Sequence, residues 1–442
     1  MNRDFAPEAN VSTADADIEE PPKAPRSFAW VVFALTFGLL LSDYMSRQVL
    51  NAVFPALKAE WDLSDTQLGS LNSVVALLVG VLTFPLSVLA DRWGRARSIV
   101  WMAGVWSLAT AACALADSYG QLFVARFFVG VGEAAYGSVG IALILSVFPA
   151  QWRASLTGAF TASGALGAVL GMALGGMIAA RFGWRWAFGA MAVFGLALVT
   201  VYGVVVTERR LAAARVAPTG SARSGGRSLR ALFAELFPSM AVCCAYVGSG
   251  LQLFTMASLM AWLPSYVHRY YGLPGDQAAL VAAVFALIGA VGMAGCGVVT
   301  DRLSGTCATR RWTFALAFSA LSSVLMLLGF RLPTGTAQLV SLGAGMLLVA
   351  GTTGPAGAMV ADLTNPAIHA AAFATLTLAN NLLGLAPGPF ITGVLADRIG
   401  LLGALRTIPV VALAAALAFA LGRRSTARGL QGPHASQLPT TA

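Results

Sequence analysis

The stretch SVLADRWGRAR, residues 87–97, places one acid and three arginines between two long apolar segments. A shortened copy, GVVTDRL, stands at residues 297–303, six apolar segments further along the chain. Internal repetition of this kind is the sequence mark of membrane folds built from two related halves. The repeat therefore predicts two bundles, each with a charged connection after its second helix.

The composition is typical of a protein embedded in a bilayer. Of the 442 residues, 57% are hydrophobic and 11% are charged, and the mean hydropathy is +0.75. A soluble domain carries about 25% charged residues. A membrane span needs about 20 consecutive apolar residues, and such segments recur along nearly the whole chain.

Twelve segments meet this requirement, and all twelve are predicted to be helices. Lipid offers no partner to free backbone groups, so only helices or closed barrels cross it. The runs are continuously apolar, unlike the alternating strands of a barrel. The predicted spans are 28–54, 65–90, 97–116, 119–148, 153–180, 184–206, 235–267, 276–300, 312–330, 336–362, 367–396 and 400–422.

The spans divide into two halves around a basic connection rich in Gly, Ser and Ala, TERRLAAARVAPTGSARSGGRSLR at 207–230. The first residues are acidic and contain prolines, which predicts a disordered tail rather than a signal peptide. The predicted organisation is a tail over 1–27, a six-helix bundle over 28–206, a linker over 207–231, a six-helix bundle over 232–422 and a tail over 423–442.

The basic residues indicate how the chain crosses the bilayer. Nineteen of the 28 Lys and Arg residues lie in one alternating set of connections and seven in the other. Because cytoplasmic loops carry the excess of positive charge, both termini are predicted to be cytoplasmic, in the cytoplasmic (inner) membrane. The repeated loops then lie inside, where we interpret their charges as a gate and not only as ordinary basic flanks. The gate residues are Asp91, Arg92, Gly94, Arg95, Arg97, Asp301 and Arg302.

The sequence favours neither an enzyme nor a metal or nucleic-acid protein. GVGEA at 130–134 imitates a dinucleotide-binding loop, but no strand precedes it. Four of the five cysteines lie in apolar runs without metal-site spacing. No basic stripe is interleaved with stacking aromatics. We expect no cofactor, no metal and no nucleic acid; the expected partners are a small substrate, protons and the bilayer, with the protein a monomer.

Two spans carry charges at depths where charge is unfavourable. ARFFVGVGEAAY at 125–136 contains Arg126 and Glu133, whose backbones lie about 10 Å apart on one helix face. The first span contains Asp43 and Arg47 at i and i+4, which suits a local pair. A central charge costs about 2.5–3.5 kcal/mol on insertion scales. These four side chains are therefore expected to face the bundle interior and to compensate one another.

We interpret this charge group as the functional site. Glu133 or Asp43 is the expected proton carrier, because burial favours a protonated carboxyl and a nearby guanidinium favours the ionised one. Arg47 and Arg126 are expected to tune that balance and to hold an anionic group. Two alternatives stay open: a static network that fixes helix register, and substrate binding without proton coupling.

The second half carries almost no charge at central depth, which predicts a largely apolar wall suited to an amphipathic substrate. Mildly polar side chains complete the expected lining of the cavity in both halves. These residues are Tyr44, Ser46, Tyr136, Gln252, Thr255, Asn380 and Asn381.

The loop Asp-Arg-x-Gly-Arg-x-Arg at 91–97 resembles the signature loop of the major facilitator superfamily, with Ser87 in place of the usual leading glycine. FGWRWAF at 182–188 and WLPSYV at 262–267 also resemble this superfamily. The resemblance covers about residues 28–422. It implies an all-α fold of twelve transmembrane helices in two six-helix bundles, working by alternating access and driven by a gradient.

A narrower resemblance, to the Spinster-like branch, rests on DYMSRQ (43–48), LSDTQLGSLNS (63–73) and ARFFVGVGEAAY (125–136). That branch typically reads Asn-Tyr-x-Asp-Arg in its first span; here Ser46 takes the place of the usual acid and Asp43 supplies one instead. The resemblance implies transport of a lipid-like substrate such as a lysophospholipid or sphingoid molecule, while the expectation of proton coupling rests on the charge group itself. The neighbouring anion:cation symporter branch shares parts of these motifs and implies a sugar acid or aromatic carboxylate. A lipid scrambling protein or a receptor is the further alternative.

Overall fold

The computed structural model describes residues 26–214, 235–305, 307–365 and 368–431. Most of the predicted tails and of the linker therefore lie outside the described residues. The described chain is almost entirely helical. Its helices are α1 (Arg26–Trp61), α2 (Asp65–Trp93), α3 (Arg95–Ala114), α4 (Tyr119–Glu133), α5 (Tyr136–Val147), α6 (Arg153–Phe182), α7 (Trp184–Val205), α8 (Glu208–Ala214), α9 (Met240–Tyr271), α10 (Gly275–Ser304), α11 (Ala308–Gly329), α12 (Thr336–Ala350), α13 (Thr353–Leu363), α14 (His369–Asn380), α15 (Pro387–Ile399) and α16 (Leu401–Gln431).

The predicted all-α membrane fold is confirmed. In the described residues, 11 helical segments are long and apolar enough to cross a membrane. The one predicted span outside these 11 segments is the third along the chain. It corresponds to α3, a helix of 20 residues that begins with Arg95. Several helices extend past the predicted ends: α1 and α16 continue to Trp61 and Gln431, and α8 forms inside the predicted linker.

Three predicted spans are interrupted near their middles. The fourth breaks between α4 and α5, the tenth between α12 and α13, and the eleventh passes through a π-helical turn at Asn381–Leu385. Pro387 follows that turn at the start of α15. A proline supplies no N–H to the helix ladder and clashes with the preceding turn, which accounts for the interruption of the eleventh span.

The helices form two halves that touch along a shared face. In the first half α1 packs against α6 and α7, and α3 packs against α4 and α7; in the second, α16 packs against α9 and α11. Helix pairs that join the halves include α1 with α9, α2 with α15, and α6 with α10. The exact boundaries of the predicted domains stay predictions, because residues 215–234 lie outside the described chain.

Small residues let α1 and α6 approach closely. A Cβ atom on Gly167 would lie 2.5 Å from the carbonyl oxygen of Leu41, and one on Gly171 would lie 2.5 Å from that of Met45. These contacts fix α1, which carries Asp43 and Arg47, against its neighbour. The small residues of α6 thus form a packing surface of the kind that lets membrane helices approach closely.

Substituting Gly171→Ala is expected to destabilise the protein by about 1–3 kcal/mol, because an inserted methyl group overpacks this contact. Gly158→Ala on the same helix is the matched control, since a Cβ there meets nothing within 4 Å. Thermal unfolding in detergent should separate the two variants. Equal melting temperatures for the two variants would show that α6 can move away from α1 without loss of stability.

The two halves are in side-chain contact toward one end of the bundle. We call the end that carries Glu208 and the connection between α2 and α3 the linker end, and the opposite end the far end. Toward the far end Phe54 of α1 packs on Trp262 of α9, with ring centroids 5.4 Å apart. The halves are thus joined at the far end.

Candidate functional site

The charged side chains of α1 and α4 meet at one guanidinium. Arg47 Nε donates a hydrogen bond of 2.6 Å to Glu133 Oε2 and lies 3.7 Å from Asp43 Oδ1. Asp43 is one helical turn before Arg47, and Glu133 is the last residue of α4. The structure therefore brings together three of the four charges singled out in the sequence.

The three side chains differ in their access to solvent. The Arg47 side chain is 22% exposed, whereas those of Asp43 and Glu133 are 5% and 0% exposed. Within the described residues, Asp43 Oδ1 and Glu133 Oε1 accept no hydrogen bond. The site thus presents a guanidinium at its surface and keeps carboxyl oxygens with spare acceptor capacity behind it.

Two glycines of α4 explain how Glu133 reaches this depth. A Cβ on Gly132 would lie 2.6 Å from the Trp106 nitrogen, and one on Gly130 would lie 3.0 Å from the Cα of Val75. Their missing side chains let α4 approach both α3 and α2. The helix then ends at Glu133, where the fourth span breaks.

Arg126 is placed apart from these three residues. It is 1% exposed, and its Nε donates a weak 3.4 Å hydrogen bond to the carbonyl oxygen of Leu71. Its Nη1 has no partner among the described residues. A buried guanidinium with an unused donor is a candidate ligand for an anion, because an unmade hydrogen bond of a buried charged group is expensive.

Further polar side chains extend the site along α1. The Arg47 guanidinium lies 5.6 Å from the ring centroid of Tyr44, which is 37% exposed. Asn51 donates to Gln48 Oε1 at 2.6 Å and accepts from Asn72 of α2. Sequence reasoning missed Gln48, Asn51 and Asn72, although Asn51 stands at i+4 from Arg47 and at i+3 from Gln48 on α1.

The other predicted lining residues of the first half are enclosed by packing. Ser46 is 1% exposed. Tyr136 is fully buried and donates a 2.7 Å hydrogen bond to the carbonyl oxygen of Thr36. Tyr136 therefore ties α5 to α1 in this conformation.

The predicted lining residues of the second half are partly unpartnered. Gln252 is 1% exposed, and neither its Nε2 nor its Oε1 has a partner in the described chain. Asn381 starts the π-helical turn and donates to the Thr377 carbonyl oxygen at 2.9 Å, while Asn380 is half-buried. Thr255 donates to the carbonyl oxygen of Leu251 at 3.3 Å. Gln252 and Asn381 supply buried polar atoms on the second half.

The charged loop between α2 and α3, at the linker end, makes its contacts with residues of the first half. Asp91 is exposed and pairs with Arg95 at 3.5 Å, and Arg95 also donates to the Ala142 carbonyl oxygen. Gly94 adopts a φ of +97°, and a Cβ there would lie 2.5 Å from Glu208 Oε1. Glu208 accepts from the backbone of Ala96 at 2.8 Å. The remaining predicted gate residues, Arg92, Arg97, Asp301 and Arg302, are exposed.

A two-bundle membrane fold with buried charges inside its first half is typical of a membrane transporter. The chain belongs to the Major Facilitator Superfamily, whose family model matches residues 36–354. The superfamily predicted from the charged loop is thereby confirmed. Membership in this family of transporters also confirms the expectation that the chain is not an enzyme.

Known relatives cover much of the chain. The hexuronate transporter of Bacillus subtilis (strain 168) is 24% identical over 377 residues, which cover 84% of this chain and 88% of that protein. The gallate transporter of Pseudomonas putida is 28% identical over 309 residues, which cover 62% of this chain and 66% of that protein.

The fold also matches a solved structure. A bacterial homologue of the human lysosomal transporter Spinster, in an inward-facing and unoccupied conformation, superposes with a TM-score of 0.81. The match covers 92% of this chain and 100% of that one at 18% sequence identity. At that identity the likeness shows the fold alone.

Proposed function

We propose that this protein is a proton-coupled symporter of a small organic anion. The observation that carries the proposal is the partly exposed Arg47 side chain with two buried carboxyl groups, Asp43 and Glu133, behind it. An exposed guanidinium binds a carboxylate through charge-assisted hydrogen bonds. A carboxyl that loses its guanidinium partner to the substrate gains affinity for a proton.

A count of charges supports coupling of one proton to one monoanion. Asp43 and Glu133 carry two negative charges in their ionised forms, and Arg47 and Arg126 carry two positive charges. An anion alone would leave a net negative charge in a membrane interior, where uncompensated charge is costly. Binding a proton with the anion restores neutrality, so the loaded site can reorient across the membrane.

The distribution of basic residues indicates how the protein is oriented in the membrane. Because nineteen of the 28 Lys and Arg residues fall in the linker-end connections and the tails, we place the linker end and both termini in the cytoplasm, in the cytoplasmic membrane. With the halves in contact at the far end, we infer that this is an inward-facing conformation, open at the linker end. Alternating access closes that end and opens the far end.

The relatives support a carboxylate substrate. Hexuronate and gallate, named in the two related transporters, differ in ring chemistry but share one carboxylate. That group matches the Arg47 site. The hydrogen-bonding side chains of Gln48 and Asn51 beside Arg47 suit a substrate that also carries hydroxyl groups.

A lipid-like substrate, implied by the Spinster-like resemblance, is the second candidate. The linker-end part of α2 exposes apolar side chains, with Val81 53%, Phe84 70% and Val88 42% exposed. Exposed apolar side chains of this kind suit contact with an acyl chain. Lipid scrambling without coupling is an outcome that the same experiment detects.

The test measures substrate-dependent proton flux, and in parallel the movement of labelled substrate, in proteoliposomes that contain the purified protein. Hexuronate, gallate, their neutral sugar and phenol analogues, and a lysophospholipid are added one at a time. The proposal expects flux with the two carboxylates and none with the neutral analogues. Flux with the lysophospholipid alone selects the second candidate, and substrate movement without proton flux refutes coupling.

A further inference from the structure

We propose that Asp65, Arg269 and Asp397 form a far-end latch, which holds the two halves together and must release before the site can open to that side. These residues lie outside the charge group of the candidate site. The inference rests on the proposed function, in which the site faces each side of the membrane in turn. It adds the contacts that set the equilibrium between the state closed at the far end and the state open at the far end.

Asp65 is the centre of the latch. It is the first residue of α2, in the first half, and its side chain is 5% exposed. Arg269 of α9, in the second half, grips it with both terminal nitrogens, at 2.8 Å to Oδ2 and 2.6 Å to Oδ1. Lys58 of α1 also donates to Oδ1 at 2.8 Å. The bidentate pair with Arg269 is geometrically the strongest form of ion pair.

Asp397 makes a second contact between the halves, in which the carboxylate belongs to the second half. This residue of α15, in the second half, accepts hydrogen bonds from the backbone nitrogens of Asp65 at 2.7 Å and Thr66 at 2.8 Å. It also accepts from the Thr66 hydroxyl at 2.6 Å. The first backbone N–H groups of a helix have no partner within the helix, so Asp397 supplies what the start of α2 lacks.

Close backbone packing surrounds these polar contacts. A Cβ on Gly393 of α15 would lie 2.4 Å from the carbonyl oxygen of Asp65, and one on Gly69 of α2 would lie 2.5 Å from that of Pro389. Trp262 of α9 donates to the same Pro389 oxygen at 3.0 Å. The latch thus gathers α2, α9 and α15 at one point, and it can hold only while α2 and α15 touch.

The latch predicts which contacts break and which persist during the transport cycle. Opening the far end separates Asp65 from Arg269 and Asp397 from the start of α2, whereas Lys58 stays with Asp65 because both belong to the first half. Removing a cross-half contact should therefore favour the far-end-open state. Lys58→Gln should shift the balance less than Arg269→Gln does.

The experiment measures the width of the far end without any substrate, so it is independent of the proposed function. Spin labels on Asp117→Cys and Thr334→Cys, both in exposed far-end connections of opposite halves, report the distance by pulsed electron paramagnetic resonance. Cys307→Ser removes the exposed native thiol. Arg269→Gln is expected to raise the ratio of long to short distances roughly tenfold.

Glu60→Gln is the matched control, since it removes a far-end ion pair with Arg185 that lies within the first half. Asp397→Asn removes the other cross-half contact, and Gly393→Ala acts as a wedge at the same point. Each is expected to enlarge the long-distance population, unlike Gly295→Ala, where a Cβ meets nothing within 4 Å. Unchanged distances in Arg269→Gln, Asp397→Asn and Gly393→Ala would overturn the proposal.

Discussion

Glu133→Gln is expected to abolish proton-driven accumulation of the substrate while leaving exchange of substrate across the membrane intact. The amide keeps the shape of the side chain and still accepts the hydrogen bond from Arg47 Nε, but it cannot take up and release a proton. In electroneutral symport of one proton and one monoanion, one pH unit corresponds to about tenfold accumulation. The ratio in the variant should fall to about one.

Two assays on the same proteoliposomes separate coupling from folding. Exchange of labelled for unlabelled substrate reports a folded, binding-competent protein, and accumulation under a pH gradient reports coupling. Glu60→Gln is the matched control, because Glu60 is a carboxylate at the far end of α1 that pairs with Arg185 at 2.6 Å. Accumulation by Glu133→Gln at the wild-type level would assign Glu133 to helix packing and make Asp43→Asn the next variant.

The sequence predicts which charges of α1 and α4 share a layer of the bundle. Helical periodicity places Asp43 and Arg47 on one face of α1, and the position along each span places Glu133 in the same layer. The structure brings these three together. Both inferences follow from the fixed rise and turn of one helix, which do not depend on how other helices pack.

Contacts between helices are less accessible from the sequence. Arg126 shares a face with Glu133, yet its Nε points to the Leu71 carbonyl oxygen. The rotation of one helix about its axis depends on packing, here on Gly130 and Gly132 against α2 and α3. Periodicity within a single helix contains no information about such contacts.

The far-end latch was missed for a related reason. Asp65 and Asp397 stand next to connections, where charged residues are ordinary, and 332 positions separate the two partners. The charged loop at 91–97 was noticed because its copy at 297–303 marks it. Asp65 and Arg269 have no such repeat, so only their meeting in space distinguishes them.

Arg47 is expected to be the residue whose loss harms both stability and binding. Arg47→Gln leaves Asp43 and Glu133 buried without their guanidinium, and removing one partner of a buried ion pair destabilises a protein by about 3–5 kcal/mol. Arg47→Lys keeps the charge but loses the planar fork that binds a carboxylate. A charge-assisted hydrogen bond contributes about 1.5–3 kcal/mol, so Arg47→Lys should weaken anion binding by roughly tenfold or more.

The double variant Arg47→Gln with Glu133→Gln distinguishes a stranded charge from a lost packing contact. If the destabilisation comes from the stranded carboxylate, neutralising Glu133 restores part of the melting temperature, although anion binding stays lost. If the destabilisation comes from lost packing, the decreases in stability of the two single variants add in the double variant. Arg185→Gln is the control, since its pair with Glu60 is 39% and 41% exposed and such pairs contribute about 0–1 kcal/mol. Recovery of stability without recovery of binding would identify Arg47 as the anion ligand and Glu133 as the carboxyl that it neutralises.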